Sequence, residues 1–174
     1  MKKILSIILV FLLAVSILPV YASNTVQSDK PTIPVLIVNN SYPDTRKSMA
    51  KLKSELPDVL MDQITNSLGT KYKIEQINND YNIHDVASTE KNDLLDMFKE
   101  TNYSTVMLVE FLPVQSAGLY CGDPLVIVHF KILDIKDKKY IYNGKLWTSK
   151  GNAYLGLKDL KPQIDIFLKD IFKL

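Results

Sequence analysis

The sequence is poor in the residues that most often carry chemistry. Its 174 residues include one cysteine, Cys121, and two histidines, His84 and His129. A single cysteine excludes an internal disulfide bond, and these three residues match no zinc-ligand spacing. The glycines form no phosphate-binding loop, because Gly118 and Gly122 precede a predicted strand rather than a helix. The sequence therefore predicts no metal and no cofactor, and it favours binding over catalysis.

The chain also lacks an excess of either charge. It has 21 basic and 19 acidic residues, and the first 22 residues contain two lysines and no acid. Without that segment the chain carries 19 residues of each sign. A neutral protein has no general attraction for nucleic acid or anionic lipid, so we expect no nucleic-acid partner.

The first 22 residues have the pattern of a secretory signal peptide. Two lysines precede an apolar run over residues 4–18, and residues 20–22 (V-Y-A) form a small-residue cleavage pattern. The run is short for a membrane span, which needs about 20 apolar residues, so membrane attachment is expected only if the segment is retained. Residues 23–32 predict a flexible leader and residues 33–174 a single domain. We expect a bacterial protein that is secreted or held in the cell envelope.

The most regular pattern is an antiparallel hairpin over residues 124–149. One face of its first strand is apolar and must be buried, whereas the other is mixed and is expected to be wet. The apolar positions are Val126, Val128, Phe130 and Ile132. The polar turn at residues 136–138 gives two strands of matched length, and Asn143-Gly144 is a rival turn. With the earlier turn, Gly144 marks a bulge or a close backbone approach.

The remaining segments alternate between strand and helix periods. Three have the composition of strands: residues 33–39, 71–77 and 104–112, the last of them central. Three have the spacing of amphipathic helices: residues 46–68, a helix capped by Ser88 or Thr89 and ending near residue 100, and a helix beginning near Lys158. Pro57 either kinks the first helix or divides it. We predict an α/β domain with three helices on a mixed sheet of about five strands, in the order β-α-β-α-β-β-β-α.

Candidate catalytic groups are few. Cys121 and His129 are separated by a predicted strand that would hold them roughly 20 Å apart. Glu110 interrupts an apolar strand and is expected to face water at an edge or a strand end. With Asp134 it would form a carboxylate pair if their strands are adjacent. An exported hydrolase of cell-wall or peptide substrates that uses this pair, or Cys121, is therefore one alternative. A small-ligand carrier with a pocket under the long irregular stretch at residues 113–123 is another.

Five residues are the candidates for an interaction surface. Tyr140, Tyr142 and Trp147 form either an exposed aromatic strip on the hairpin or sheet packing under a helix. Tyr120 and Cys121 lie in the irregular stretch just before the hairpin. We expect the contact surface on that stretch and on the exposed face of the hairpin. The expected partner is a protein of the cell envelope or a second copy of the chain.

The order of elements resembles that of a family of bacterial envelope domains. It rests on V-L-I-V-N-N-S (residues 35–41), the long helix that follows, and L-D-I-K-D-K-K-Y-I-Y-N-G (residues 133–144). Over residues 33–174 the chain resembles the TolB amino-terminal domain and the curli-secretion-channel family. The resemblance implies a non-enzymatic domain that docks other envelope proteins or oligomerises, and it transfers no catalytic residue. The chain differs from several relatives in having no lipidation cysteine.

Overall fold

The computed structural model describes residues 30–40, 47–114, 125–147 and 153–174. The strands are β1 (Thr32–Asn39), β2 (Lys73–Gln76), β3 (Thr105–Val114), β4 (Leu125–Asp134) and β5 (Lys139–Trp147). The helices are α1 (Lys47–Leu68), α2 (Lys91–Phe98) and α3 (Ala153–Phe172). The predicted fold class and the predicted order of elements are confirmed.

All five strands belong to one mixed sheet, in the spatial order β2-β1-β3-β4-β5. β1 pairs in parallel with both β2 and β3, whereas β3, β4 and β5 pair antiparallel in succession. The helical crossovers of the first half therefore produce the parallel pairs, and the hairpin produces the antiparallel ones. β3 lies at the centre of the sheet, as predicted.

One face of the sheet, here called the first face, is covered by α1 and α3. Both helices place an apolar residue toward it at every fourth position, the spacing that keeps side chains on one side of a helix. These are Leu56, Leu60, Ile64 and Leu68 in α1 and Leu160, Ile164 and Leu168 in α3, and all are buried. Beneath them lie the alternate residues of β4 that were predicted to be buried, Val126, Val128, Phe130 and Ile132.

Within the described residues, the opposite, second face is covered over only part of its length. Ile83 and Val86, from the segment before α2, and Leu94 and Phe98, from α2, pack there on residues of β1, β3 and β4. Lys131 and Leu133 of the hairpin are therefore buried. The expectation that this face of the hairpin is wet is wrong at these two positions, because α2 and the segment before it fold back over them.

The hairpin closes at the earlier of the two predicted turns. Residues 135–138 form the turn, and Asp137 N donates to Asp134 Oδ1 over 2.9 Å. Lys138 adopts a left-handed backbone conformation with φ of 54°. Gly144 lies inside β5, where a β-carbon would overlap the hydroxyl of Tyr142. Gly144 thus marks a close approach, and the bulge lies elsewhere in the strand.

Two helix starts differ from the predicted ones. α2 begins at Lys91 because Ser88 and Thr89 are used in a turn instead: Ser88 N donates to Asp85 Oδ1 over 2.8 Å, and Thr89 N donates to Asp85 O. α3 begins at Ala153, five residues before the predicted position. Among the helices described, none has the length and the apolar character that crossing a membrane requires.

Candidate functional site

Glu110 is a buried carboxylate in the middle of the sheet. Its side chain is only 4% exposed, and it points toward the segment that covers the second face. Glu110 Oε1 accepts a hydrogen bond from Asn40 Nδ2 (3.0 Å), and Oε2 accepts one from Ala87 N (2.9 Å). The expectation that Glu110 faces water at an edge or strand end is wrong, because β1 and β4 flank β3 on both sides.

Lys131 is the second buried charge on this face, with 3% exposure. Its Nζ donates to Ala87 O (2.9 Å) and to Thr89 O (2.7 Å). Burial lowers the pKa of Lys131, and the nearby carboxylates of Asp85 and Glu110 partly offset that effect. Glu110 and Lys131 therefore hold Ala87 through its N–H and its carbonyl, which fixes the covering segment to the sheet.

The proposed carboxylate pair is not formed. β3 and β4 are adjacent, but Asp134 is paired with Thr105, five residues from Glu110 along β3. At about 3.4 Å per residue the two positions are roughly 17 Å apart. Because the separation of five positions is odd, the two side chains also lie on opposite faces of the sheet. A hydrolase built on Glu110 and Asp134 is thus contradicted by the register of the strands.

The other predicted groups are only partly within the described residues. Tyr120 and Cys121 lie outside them, as does the stretch at residues 115–124, so the wide separation of Cys121 from His129 stays a prediction. His129 itself is half-buried in β4, where its Nε2 donates to Asn143 Oδ1 over 2.9 Å. In the part of the chain that the structure describes, no group of three or more His, Cys, Asp or Glu residues could hold a metal.

The three hairpin aromatics do not form one strip. Tyr142 lies opposite Ile132 on the first face and packs against Phe167 of α3, with ring centroids 4.5 Å apart. Tyr140 lies opposite Leu133 and packs on the second face. A bulge shifts the register between these two pairs, so two tyrosines of the same parity face opposite sides.

Trp147 belongs to the part of the second face that none of the described segments covers. It is 53% exposed and lies directly opposite Ile127 of β4, which in turn pairs with Leu112 of β3. The neighbouring row contains His129 and Lys145. We call this surface the open half-face, and it consists of Leu112, Ile127, His129, Asn143, Lys145 and Trp147. Of these residues, only Trp147 was predicted from the sequence to take part in an interaction, although the strict alternation of β4 already placed Ile127 and His129 on one side.

The two edges of the sheet differ in length. β2 presents four residues, whereas β5 presents nine. Within the described residues, β5 is hydrogen-bonded on one side only, to β4. Every second residue of such a strand directs its N–H and C=O groups away from the sheet, where another extended chain can pair with them.

A groove of about 560 Å³ lies between α2 and the β4–β5 turn. Its sides include Asn92, Asp96 and Lys99, and its apolar surface comes from Leu95 and Ile135. The groove is at the turn end of the hairpin, away from Leu125, where β4 begins. A pocket under that stretch, as the carrier hypothesis requires, lies outside the described residues and stays a prediction.

Comparison with known proteins gives structural likenesses alone. No protein-family model matches the chain, and no curated protein matches it. The PelC dodecamer from Paraburkholderia phytofirmans is similar at a TM-score of 0.47 and 15% identity, over 82% of this chain and 88% of that one. Lipoprotein GNA1162 from Neisseria meningitidis is similar at 0.45 and 11%, over 80% and 99%.

TolB from Acinetobacter baumannii is also similar, at a TM-score of 0.45 and 12% identity. The match covers 83% of this chain and 29% of TolB. TolB is also the protein whose amino-terminal domain the order of elements in the sequence resembles. The likeness to the curli-secretion-channel family stays a prediction.

Proposed function

We propose that the protein is an exported, non-catalytic docking module of a bacterial cell envelope. It would contact a protein partner, or a second copy of itself, through the open half-face and the free edge of β5. Export is supported by the signal-peptide pattern of the first 22 residues.

The observation that carries the proposal is that Trp147 and an edge of β5 that no other described strand pairs with lie on one part of the molecule. A tryptophan that is 53% exposed leaves a large apolar surface in water, and tryptophan is enriched among residues that dominate binding energy. Trp147 is the last residue of β5, and the edge of this nine-residue strand supplies main-chain donors and acceptors. Side-chain packing and strand pairing can therefore act on the same partner.

The buried charges support a docking role over a catalytic one. Both carboxylate oxygens of Glu110 and the ammonium of Lys131 bond to groups of the chain itself. A group that is fully engaged in holding the fold gains little by contacting a substrate. We therefore assign these two residues to the support of the sheet.

Site-specific photo-crosslinking in the native host tests the proposal. A photoreactive amino acid would replace Trp147 in one strain and Ile166 in the other. Ile166 is a matched control, because it is an apolar side chain with 70% exposure on α3, the helix that covers the opposite face. We expect a discrete protein adduct from position 147 and none from position 166. Adducts from both positions alike, or from neither, would contradict docking through the open half-face.

A further inference from the structure

We propose that the partner contributes an extended segment that adds to β5 as a sixth strand, with a carboxylate two residues away from an apolar side chain. This inference rests on the proposed docking function and specifies the chemistry of the partner. It is drawn from the register of the hairpin and from the charges on the open half-face.

The open half-face contains two rows of side chains that cross the strands. The first row is apolar and ends at β5 with Trp147, opposite Ile127. The second row is polar and ends at β5 with Lys145, opposite His129. A strand paired with the edge of β5 extends each row by one residue, because directly opposed side chains lie on the same face and within about 5 Å of each other.

The spacing in the partner follows from the spacing in β5. Trp147 and Lys145 are two residues apart, and the partner residues beside them are therefore also two apart, whether the new strand is parallel or antiparallel. An apolar side chain beside Trp147 would complete the apolar row. The residue two positions away would lie beside Lys145.

Charge decides what that second residue is. In the polar row, Lys145 is exposed and His129 is half-buried. Glu110, at the far end of the row, has a buried carboxylate that already accepts two hydrogen bonds. β5 itself contains two lysines and no acidic residue. Lys139 is paired with Asp137 over 2.7 Å, whereas no partner is found for Lys145 among the described residues. A carboxylate satisfies Lys145, and a lysine would be repelled by it.

Binding of synthetic peptides to the chain without its first 22 residues tests the inference. The probe is acetyl-Thr-Val-Thr-Glu-Thr-Val-Thr-amide, in which a valine lies two residues from the glutamate in either direction. Two companion peptides carry glutamine or lysine in place of the glutamate. Binding is followed by the amide shifts of the isotope-labelled protein. We expect the shifts to concentrate in β5 and the glutamate peptide to bind about two- to fivefold more tightly than the glutamine one.

A charge reversal in the protein makes the test independent of the natural partner. Lys145→Glu should reverse the preference, so that the lysine peptide binds better than the glutamate peptide. Lys161→Glu is the matched control, since it makes the same charge change at an exposed position of α3 and should leave the preference as it is. A version of the probe with all of its backbone amides N-methylated should lose binding, because neither of its edges can donate hydrogen bonds to β5.

Two results would overturn the inference. One is equal binding of all three peptides at β5, which refutes the acidic partner and leaves docking at this edge intact. The other is the absence of shifts in β5 with every peptide, which refutes strand addition. The crosslinking from position 147 then decides separately whether the docking function fails as well.

Discussion

The attachment of Ala87 to the sheet can be tested by changing Glu110 in two ways. Glu110→Gln keeps the size and shape of the side chain but removes its charge. Glu110→Met keeps a similar length but removes every acceptor. Both neighbours of Glu110, Ala87 N and Asn40 Nδ2, are donors, so the two variants differ in how many donors remain bonded.

The magnitudes follow from that count. Glutamine has one acceptor oxygen, which can serve the fixed N–H of Ala87, while the amide of Asn40 can rotate and offer its own oxygen to the glutamine NH₂. The cost is then the loss of charge assistance, about 1 kcal/mol. Methionine leaves the N–H of Ala87 unpaired and removes two charge-assisted bonds, for which we expect about 3 kcal/mol. Asn40→Asp should be better tolerated in the Glu110→Gln background than alone, because glutamine at position 110 is neutral and the two side chains then do not repel each other as two carboxylates would.

Urea unfolding measures these free energies, and native-state hydrogen exchange follows the amide of Ala87 directly. We expect the exchange of that amide to accelerate strongly in the methionine variant and weakly in the glutamine variant. The reasoning is refuted if Glu110→Met unfolds within about 0.5 kcal/mol of the wild type. It is also refuted if the exchange of Ala87 is the same in all three proteins.

Two further predictions concern pH. Burial lowers the pKa of Lys131 below 10.5, so between the lowered value and 10.5 the unfolded chain binds more protons than the folded one. The free energy of unfolding should gain a positive contribution as pH rises through that window, and Lys131→Met should remove this contribution in urea titrations at several alkaline pH values. Hydrogen bonds from Lys169 and Ser67 lower the pKa of Asp165 below 3.8. The ionised carboxylate therefore stabilises the fold above pH 3.8, and this stabilisation is lost as the pH falls through the lowered pKa. Ser67→Ala should therefore reduce the loss of stability on acidification, and an unchanged acid-unfolding curve would contradict the assignment.

Local sequence patterns were sufficient for the elements and their order. Side chains that alternate along β4, or recur at every fourth position in α1 and α3, report burial directly, because the period of an element fixes which residues share a face. The turn of the hairpin was also accessible, since Asp134 and Asp137 are residues that bond to nearby backbone. Helix ends were less accessible, because Ser88 and Thr89 have the composition of a cap and are used in a turn before the helix.

The site was less predictable, because it depends on contacts between distant segments. Nothing near Glu110 in the sequence indicates that Ala87 and Asn40 would supply its two donors, at separations of 23 and 70 residues. The bulge between Tyr140 and Tyr142 has no local signal in the sequence either. It places these two tyrosines on opposite faces of the sheet, although strict alternation would place them on the same face. Trp147 was recognised by its residue type alone, and its place beside Ile127 follows only from the register of the hairpin.

The buried charges and the open half-face are two parts of one arrangement. Going back along β4 from the turn, Lys131 is the last second-face residue that the described cover reaches. Its ammonium bonds to the carbonyls of Ala87 and Thr89 at the border of the covering segment. His129, two residues away on the same face, lies beyond that border. A wholly apolar second face would favour coverage along its entire length, since each further apolar residue buried adds stability. Among the described residues, the cover ends where these charges lie, and the end of the hairpin that contains Lys145 and Trp147 is left accessible.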